Sequence, residues 1–581
     1  MKVKTENLVL GICMSHDAGV AIVRNGNVLA AINEERYSRV KAATGFPEKS
    51  LLEIIKLAKI EPKDIDKIGI AGYSLGDSPP TNNDFSYENG RFSIPQIIAE
   101  SIDRIPLIRK MLFTNWFGDF HKEFRHFLGK SKIMHLKEKL VNLGFIAPIE
   151  IYDHHDCHLA SAYFPSGMEE CLVISNDGFG DNICSKVAIG SKGKLKTIAR
   201  NSMFNSIGVY YNYVTNFCGF KKEHHAGKTT GLAAYGDSNL SIEYFRKRLV
   251  WDKNKGLYKN TGYIFRNVIK ELNRVFKGVA REHVAAGIQK HIESLLVQMF
   301  SYYIEITGIK KVAVAGGVHA NVRVNQRIAE IQGLENFYVF QNMGDGGLAL
   351  GAAYLAAHSL DNNVLPQTME SVYLGSSFSE EECLKSIQAA NITCSKPKNM
   401  AVVVAKHLKE NKIVARCDGA MEYGPRSLGN RSILYPAVNK DVNLWLNKQL
   451  NRTEFMPFAP VVRDVDAKDF FKNISNANFF SAQFMTLAFE ATDRCKKEAP
   501  ATVHIDGSAR PQILRTEINP GYYDILTEYK KLTGLSILVN TSFNMHEEPI
   551  VCSPDEAIKA FFKSNLDILI LGPFLIENNK K

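Results

Sequence analysis

The sequence predicts an α/β protein of two domains, in which the first domain contains an internal duplication. The length of 581 residues exceeds the roughly 250 to 300 residues at which a single hydrophobic core stops growing. A pattern of an apolar strand, a glycine-containing turn and a hairpin occurs near the N-terminus and again from residue 171. After a polar segment at residues 359–372, a fresh αβ pattern begins with a predicted helix over 379–390. We therefore predict domains over residues 1–365 and 366–581.

The first copy of the pattern consists of the apolar residues 8–14 followed by residues 20–32. Asn25-Gly26 lies in the middle of the second stretch and is a preferred dipeptide for a two-residue hairpin turn. The second copy begins with residues 171–175, continues through a turn that contains Asp177 and ends in a hairpin that turns near residues 191–194. Each copy is thus predicted to be a strand, a turn and a hairpin.

A third unit follows a predicted helix over residues 284–306, whose apolar residues keep helical spacing. A strand over 312–315 then leads into Gly316-Gly317. This layout resembles that of the actin, Hsp70 and sugar-kinase (ASKHA) superfold, in which two such turns and the glycine loop surround nucleotide phosphates. Glycines let backbone N–H groups approach phosphate oxygens, and the start of the following helix adds a positive dipole. We therefore predict nucleotide binding by Gly316, Gly317 and Asn321.

Charge and composition limit the partners that we expect. The net charge of +10 is mild for this length, so it favours anionic ligands and predicts no nucleic-acid partner. Ten cysteines without a CxxC pair predict reduced thiols. The apolar runs at residues 8–14 and 568–576 are far shorter than the ~20 residues of a membrane helix. We expect a cytoplasmic protein with no membrane partner, and the sequence leaves open whether it forms a homo-oligomer.

The segment 153–158 (DHHDCH) predicts a metal site. His154 and His158 stand at i and i+4, so they share one helix face. Two imidazoles need further ligands, and Asp177 and Asp345 are carboxylates that we expect at strand-to-helix turns. A structural role for the histidine pair is the alternative. Imidazole with carboxylate suits iron, zinc or manganese, and these residues do not choose among the three transition metals.

Two further sites contain candidate catalytic or phosphate-binding residues. His16-Asp17 directly follows the first strand, where a neutral imidazole can act as a general base and Asp17 can bind substrate. A hydrogen bond from His16 to a phosphate or to the acceptor is the alternative. Gly227-Lys228-Thr229 resembles the end of a Walker A motif, but Lys222 occupies the position of its first glycine, which excludes a P-loop. Lys228 remains a candidate for a phosphate contact.

The C-terminal part contains several candidate anion ligands. Arg426 and Arg431 stand five residues apart in a glycine-bounded segment, which suits a multiply charged anion. Arg452, Arg510 and the polar run 540–544 add hydrogen-bond donors. Each could alone be a surface charge or a turn, but their occurrence in one domain favours a phosphate or nucleotide site.

Residues 90–145 alternate basic and aromatic side chains. Two interpretations remain open for this segment: the solvated faces of inserted helices, or a lid that binds an acceptor.

Taken together, these motifs resemble the nodulation-type (NodU, CmcH and TobZ) O-carbamoyltransferase family over residues 8–578. The stretches that carry the resemblance are, in chain order, SHDAGVAI, NEERYSRVK, HHDCHLASAYFPSG, NDGFGD, GKTTGLAAYG, AGGVHANVRVN, GDGGLALGAAY, EYGPRSLGNRSIL, MPFAP, ARPQ and NTSFNMHEEPIV.

The resemblance implies an N-terminal domain like the tRNA threonylcarbamoyl-transfer subunit and a C-terminal YrdC-like α/β domain. It further implies that the C-terminal domain forms carbamoyl-adenylate from carbamoyl phosphate and ATP, with Mg accompanying the ATP. The N-terminal domain then passes the carbamoyl group to a hydroxyl of a small sugar-like or natural-product acceptor. The identity of that acceptor is not readable from the sequence.

Site residues follow from the resemblance position by position. The implied metal ligands, for which the family suggests iron, are His154, His158, Asp177 and Asp345. His16 matches the proposed base, and Lys41 matches a lysine at the substrate phosphate. The implied nucleotide and carbamoyl-phosphate ligands in the C-terminal domain are Arg426, Arg452, Arg510, Asn540, Ser542 and Asn544.

One stretch departs from the family pattern. Leu450 and Met456 occupy the positions where some members have a lysine and an arginine. Arg452 is retained between them, and Lys448 is a candidate substitute for the missing cation. How carbamoyl phosphate is held is therefore open.

Three other functions fit parts of the sequence. Threonylcarbamoyl transfer to tRNA fits both domain resemblances, but it calls for a concentrated basic face. A non-enzymatic ASKHA nucleotide switch does not explain the HxxxH pair of His154 and His158. A sugar kinase needs a kinase-type catalytic aspartate and no second activation domain.

Overall fold

The structure, a computed structural model, describes residues 7–73, 133–221, 225–264, 266–440 and 457–578. It has a mixed α/β fold with two five-stranded sheets and a seven-stranded sheet among the described residues. Arg452, Lys448, Leu450 and Met456 lie outside these ranges, as does the stretch 90–132 of the basic and aromatic segment.

The strands are, in chain order, β1 (Leu8–Cys13), β2 (Gly19–Arg24), β3 (Asn27–Asn33), β4 (Lys67–Ala71), β5 (Ile149–Tyr152), β6 (Glu170–Gly180), β7 (Ile183–Ser191), β8 (Lys194–Ser202), β9 (Leu249–Asp252), β10 (Leu257–Asn260), β11 (Lys311–Ala315), β12 (Asn336–Val339), β13 (Val414–Cys417), β14 (Arg431–Pro436), β15 (Ala459–Arg463), β16 (Phe489–Glu490), β17 (Ser508–Ala509), β18 (Gln512–Leu514), β19 (Ile537–Ser542), β20 (Ile568–Leu571) and β21 (Phe574–Glu577).

The α-helices are α1 (Glu35–Ser38), α2 (Glu48–Ala58), α3 (His154–Tyr163), α4 (Ile207–Phe217), α5 (Ala226–Ala233), α6 (Ile242–Arg248), α7 (Arg266–Val275), α8 (Arg281–Thr307), α9 (Val322–Ala329), α10 (Leu348–Leu360), α11 (Glu380–Ala389), α12 (Met400–Lys409), α13 (Ala467–Phe470), α14 (Asn476–Ala482), α15 (Asp493–Glu498), α16 (Pro520–Thr533) and α17 (Pro554–Lys563). Residues 133–142 are also helical.

The predicted duplication is confirmed by the topology of two sheets. The first has the order β3-β2-β1-β4-β5, and the second has the order β8-β7-β6-β11-β12. In both, the first strand pairs antiparallel with a hairpin on one side and parallel with a later strand on the other. Asn25 and Gly26 form the predicted hairpin turn, with φ angles of 50° and 80°. The two sheets are therefore two copies of one unit.

Helix α10 packs closely against both β1 and α3 because glycines remove side chains at the contacts. A Cβ added to Gly11 in β1 would lie 1.9 Å from the carbonyl oxygen of Ala349 in α10. A Cβ added to Gly351 in α10 would lie 1.9 Å from the carbonyl oxygen of Cys157 in α3. These contacts fix the start of α10 relative to α3, and both helix starts belong to the predicted metal site.

The C-terminal sheet is mixed and has the order β18-β15-β19-β14-β13-β20-β21. Helices α12 and α16 pack on each other, and their apolar residues share one core cluster with β13, β14, β15 and β19. This part is α/β, as predicted, whereas its YrdC-like character and the boundary near residue 366 stay predictions. Ser481 donates a hydrogen bond to the Phe337 carbonyl (2.9 Å), and Asn325 donates to the Thr486 carbonyl (2.8 Å), so the two parts of the chain are in contact.

Across the described ranges, none of the helices combines the length and the apolar character that a membrane crossing requires.

The glycine contacts of α10 predict a stability effect. Replacing Gly351 by Ala would force α10 and α3 apart, and overpacking of this kind typically costs about 1–3 kcal/mol of unfolding free energy. Gly227→Ala in α5 is the control, because nothing lies within 4 Å of the added Cβ. It should keep or slightly raise stability, by about 0.5–1 kcal/mol. Urea unfolding of the full chain measures both; equal midpoints for the two variants would contradict the packing argument.

Candidate active site and metal centre

Helix α3 positions the two histidines of the predicted metal site. Asp153 caps the helix, because its carboxylate accepts hydrogen bonds from the backbone N–H groups of His155 (3.1 Å) and Asp156 (3.3 Å). The backbone N–H of His154 donates to Asp181 (2.9 Å). One helical turn separates His154 from His158, so their rings lie 4.8 Å apart on the same face of α3.

The structure brings together the four residues that the sequence analysis grouped. Ligand atoms of His154, His158, Asp177 and Asp345 all lie within 4.8 Å of one another. His154 Nε2 is 3.5 Å from Asp177 Oδ2 and 3.6 Å from Asp345 Oδ1. His158 Nε2 is 3.5 Å from the same Asp345 oxygen. We call these four residues the metal-binding cluster.

The position of Asp177 differs from the prediction. Asp177 was expected at a strand-to-helix turn, but it lies within β6, which continues to Gly180 before the hairpin to β7. The pairing register shifts between Asn176 and Gly180, and this irregularity lets the strand bend beside His154. A Cβ on Gly180 would lie 2.1 Å from Cγ of His154, so only glycine fits there. Asp345 does lie between a strand and a helix, as predicted.

The four side chains fit a transition-metal ion. Nε2 of both histidines is buried and has no hydrogen-bond partner within the described ranges. A tetrahedral site with bonds of about 2.1 Å separates neighbouring ligand atoms by about 3.4 Å. The three imidazole-to-carboxylate distances of 3.5–3.6 Å are close to this spacing. Two imidazoles with two carboxylates suit zinc, iron and manganese alike.

The electrostatics of the cluster call for positive charge at its centre. Burial alone would lower the pKa of His154, but the carboxylates of Asp345 and Asp177 raise it to about 10. Burial would raise the pKa of Asp177, but the adjacent His154 and His158 hold it well below its usual range. Either a proton on His154 or a bound cation balances the carboxylates.

His155 has a different function from its neighbours. Its Nδ1 is 2.8 Å from the Ser175 hydroxyl and its Nε2 is 2.8 Å from the Ile183 carbonyl, so both ring nitrogens are hydrogen-bonded. Burial lowers the pKa of His155 to about 3, which keeps the ring neutral. His155 therefore ties α3 to β6 and β7.

The first turn adjoins the cluster. The Ser15 hydroxyl donates to Asp345 Oδ2 (3.4 Å). His16 Nδ1 lies 2.8 Å from Asp17 Oδ2, so the carboxylate orients the imidazole. Asn33 donates to the Asp17 carbonyl (3.3 Å), which anchors this turn to the end of β3. The candidate base is thus one residue away from a side chain that contacts a candidate metal ligand.

The glycine loop is held against the same cluster. Gly316 has φ 102°, and its Cβ would lie 2.1 Å from the Asn176 carbonyl, so the loop follows β6 closely. The Gly317 N–H donates to Asp177 Oδ1 (2.6 Å). Asn321 caps α9 by accepting from two backbone N–H groups, and it exchanges hydrogen bonds with Gln289. Its role in nucleotide binding stays a prediction, as does the phosphate contact of Lys228, which lies buried in α5.

Lys41 belongs to an ion-pair chain at the end of α1. Its Nζ lies 3.2 Å from Glu35 Oε2, and Arg36 Nη1 lies 2.8 Å from Glu35 Oε1. Burial would raise the pKa of Glu35, but Arg36 and Lys41 lower it below the usual value. Glu35 therefore stays charged and holds the Lys41 ammonium in place.

In the C-terminal part, residues 422–431 form a tight loop, which we call the arginine loop. One carboxylate oxygen of Glu422 accepts from the backbone N–H groups of Leu428 (2.8 Å), Asn430 (2.9 Å) and Arg431 (3.2 Å). Arg426 lies within this loop and is half-buried. The loop thus holds Arg426 in a fixed backbone frame.

The pairing of Arg431 with Arg426 as anion ligands is wrong. Arg431 is fully buried and donates to the backbone carbonyls of Ser376, Gly419, Asn430 and Cys552. Its guanidinium is therefore engaged in holding the chain, and it has no side available to a phosphate. Arg426 alone of the two remains a candidate.

The other C-terminal candidates lie along the same sheet. Asn540 donates to Gln512 Oε1 (2.7 Å) and to the Ser427 carbonyl (3.3 Å), which joins β19 to the arginine loop. Ser542 ends β19 and pairs with Ser432. Asn544 donates to the Glu548 carbonyl (2.7 Å). Arg510 lies between β17 and β18, two residues before Gln512. The roles of these residues in binding stay predictions.

Sequence reasoning missed several residues that shape the site. Asp181 accepts from the backbone of His154 and Tyr73, and Glu422 shapes the arginine loop. Asp181 lies in a turn and Glu422 in an isolated β-bridge with Tyr373, and the partners of both carboxylates are backbone groups. A local pattern contains no signal for such contacts.

Two sequence comparisons decide the family. The family model described as Carbamoyltransferase N-terminus matches residues 8–354, and the one described as Carbamoyltransferase C-terminus matches residues 405–578. The chain belongs to the carbamoyltransferase family. The resemblance in the sequence is thereby confirmed, and the chain is a transferase.

Relatives align along almost all of this carbamoyltransferase. Nodulation protein NolNO of Sinorhizobium fredii is 29% identical over 99% of this chain and 81% of its own length. Nodulation protein U of the same species is 30% identical over 93% of this chain and 94% of its own length. The uncharacterized protein MJ1058 of Methanocaldococcus jannaschii is 31% identical over 97% and 98%.

Among solved structures, component A of (R)-2-hydroxyglutaryl-CoA dehydratase from Acidaminococcus fermentans matches 61% of this chain and 98% of its own length. The sequence identity is 16% and the TM-score is 0.35, so this likeness supports no conclusion.

The cluster predicts metal binding that depends on His158. In His158→Ala the ion would lose one of its imidazole ligands, so the variant should lose at least tenfold in affinity for Co²⁺. His291→Ala is the control, because His291 is also buried but lies outside the cluster, where its Nε2 bonds to the Leu249 carbonyl. Elemental analysis and Co²⁺ absorbance measure the difference. A Co²⁺ affinity of His158→Ala within about twofold of the parent value would contradict the assignment.

Proposed function

We propose that this carbamoyltransferase is an ATP-dependent O-carbamoyltransferase that activates carbamoyl phosphate in its C-terminal part and transfers the carbamoyl group in its N-terminal part. The observation that carries the proposal is the metal-binding cluster, which adjoins the turn of His16 and the glycine loop at one point. A cluster of two imidazoles and two carboxylates beside a candidate base suits transfer to a hydroxyl.

Activation would take place beside the arginine loop. Carbamoyl phosphate and water give carbamate and phosphate, and a carbamate oxygen then attacks the α-phosphorus of ATP. The bond to pyrophosphate breaks, leaving carbamoyl-adenylate. Arg426 and Arg510 are suited to the charge that develops on the phosphates, because a guanidinium binds phosphate oxygens through two parallel hydrogen bonds. Asn540, Ser542 and Asn544 would orient the nucleotide, and Mg²⁺ would accompany ATP.

Transfer would take place at the metal-binding cluster. The acceptor oxygen attacks the carbamoyl carbon, the bond to AMP breaks, and the acceptor proton moves to His16. Asp17, 2.8 Å from Nδ1, orients the imidazole and stabilises its charged form. Lys41, held by Glu35, would bind the phosphate of the adenylate. A bound transition metal, for which iron is our choice by family, would supply Lewis-acid charge to the oxygens in the site.

We propose a small sugar-like or natural-product alcohol as the acceptor. This acceptor class follows from the resemblance of the sequence to the nodulation-type O-carbamoyltransferases, and nodulation proteins are among the relatives. Among the described residues, no observation specifically favours threonylcarbamoyl transfer to tRNA or a non-enzymatic nucleotide switch.

The proposal predicts that activation depends on Arg510. Arg510→Ala should lose carbamoyl-phosphate-dependent pyrophosphate release, because the phosphate charge loses a bidentate partner; the rate should fall by roughly 10²-fold or more. Arg494→Ala is the control, since Arg494 pairs with Asp469 and Glu498 on the surface. A coupled pyrophosphate assay measures both. If Arg510→Ala kept the parent rate, the assignment of activation to this region would be wrong.

A separate prediction concerns His16. His16→Asn keeps hydrogen bonding but removes the base, so carbamoylation should fall roughly 10²- to 10⁴-fold. Pyrophosphate release in the first minutes should survive, because activation does not use His16. Methyl glucoside serves as the probe alcohol, product is counted by mass spectrometry, and His135→Asn on an exposed helix is the control. Transfer within about threefold of the parent would mean that another group takes the proton.

A further inference from the structure

The arginine loop touches the chain next to a metal-binding residue. The buried hydroxyl of Tyr423 donates to the carbonyl of Gly346 (2.9 Å), and Gly346 directly follows Asp345. The same carbonyl accepts from Asn33 (3.0 Å). The hydroxyl of Tyr423 therefore connects the loop that contains Arg426 to the backbone that positions Asp345.

A second contact joins the loop to the ion-pair chain of Lys41. Arg36 is buried, and its Nη2 donates to the carbonyl of Gly424 (2.9 Å). Its Nη1 lies 2.8 Å from Glu35, which in turn holds Lys41. Tyr423 and Gly424 are adjacent in sequence. Two neighbouring residues of the loop thus contact both the Asp345 side and the Lys41 side of the N-terminal site.

The loop is built so that a displacement at one end reaches the other. Glu422, next to Tyr423, is bonded to three backbone N–H groups on the far side of Arg426. Gly424 has φ 133°, and a Cβ there would lie 3.2 Å from the Gln341 carbonyl, so this residue already lies close to the chain that leads to Asp345. A shift of the loop around Arg426 therefore has to move Tyr423 and Gly424 with it.

We propose that Tyr423 and Arg36 are positioning residues that couple occupancy of the anion site at the arginine loop to the geometry of the metal-binding cluster. The inference rests on the proposed function, because it takes the anion to be the phosphate of the nucleotide. A linkage of this kind is reciprocal: if nucleotide changes the affinity of the cluster for metal, metal changes the affinity for nucleotide by the same factor. Such coupling would give the metal-binding cluster its transfer-competent geometry only while an adenylate is bound at the arginine loop.

Tyr423→Phe tests the coupling, because it removes one hydroxyl and keeps the ring. Tyr373→Phe is the matched control. The Tyr373 hydroxyl also donates to a carbonyl of the arginine loop, that of Leu428 (2.8 Å), but within the described ranges its hydrogen-bond partners are Leu428 and Asn519 rather than residues 341–346. Arg36→Lys is the second variant, since lysine keeps the positive charge beside Glu35 but lacks the two-pronged geometry that reaches Gly424 as well.

The measurement is the dissociation constant of Co²⁺, read from its visible absorbance in the full chain after dialysis against a chelator. It is repeated with saturating AMP and constant Mg²⁺; solution chelation by AMP is the same for every variant and cancels between them. In the parent and in Tyr373→Phe, AMP should change the constant by about fivefold or more. In Tyr423→Phe and Arg36→Lys, AMP should change the Co²⁺ dissociation constant by less than about twofold.

The outcomes separate the coupling from the proposed function. If AMP does not bind the parent, the nucleotide site of the proposed function is wrong, and the coupling that depends on it is wrong as well. If AMP binds the parent but leaves the Co²⁺ constant unchanged, the proposed function stands and the coupling is wrong. If Tyr423→Phe only weakens Co²⁺ binding and keeps the full AMP effect, Tyr423 is structural and the coupling is equally overturned.

Discussion

Two largely buried carboxylates, Asp177 and Asp345, constrain the arrangement of the whole N-terminal half. Like charges that lie close together in a low-dielectric interior are unstable unless positive charge or hydrogen-bond donors balance them. The His154 imidazole lies beside both carboxylates and that of His158 beside Asp345, and the Gly317 N–H donates to Asp177. The start of α3, the bent end of β6 and the loop of Gly316-Gly317 must therefore meet at one point. The close packing of α10 holds these elements in that arrangement.

The duplicated sheets explain how these groups reach one point. Asp177 lies near the end of β6, the first strand of the second copy, and His16 follows β1, the first strand of the first copy. The turn after β1 in the first copy and the segment after β12 in the second copy meet at the site, where the Ser15 hydroxyl donates to Asp345. Helix α10 lies against β1 and α3 through Gly11 and Gly351. The ligands thus come from both copies, and the packing between the copies sets their distances.

The sequence predicts features that depend on local spacing. Asn25-Gly26 defines a hairpin through its own φ preferences, and the spacing of His154 and His158 places them on one face of any helix. The buried position of the Arg431 guanidinium could not be predicted from local spacing. Its carbonyl partners at residues 376, 419 and 552 lie far apart in sequence, so only the folded chain decides that the guanidinium faces inward. Glu422 was missed for the same reason, and Asp177 was misplaced because a strand irregularity has no reliable sequence signal.

The arginine loop contains two buried charged side chains of opposite sign, Glu422 and Arg431, that are satisfied mainly by backbone groups. Glu422 accepts from N–H groups of the loop, and Arg431 donates to carbonyls around it. Removing such charges from water costs free energy, so the two buried side chains are not explained by a gain in folding stability. What they provide is a backbone fixed before any ligand arrives. The ordering of the loop backbone is then a cost of folding rather than of binding, so a displacement at Arg426 passes to Tyr423 and Gly424 instead of being absorbed within the loop.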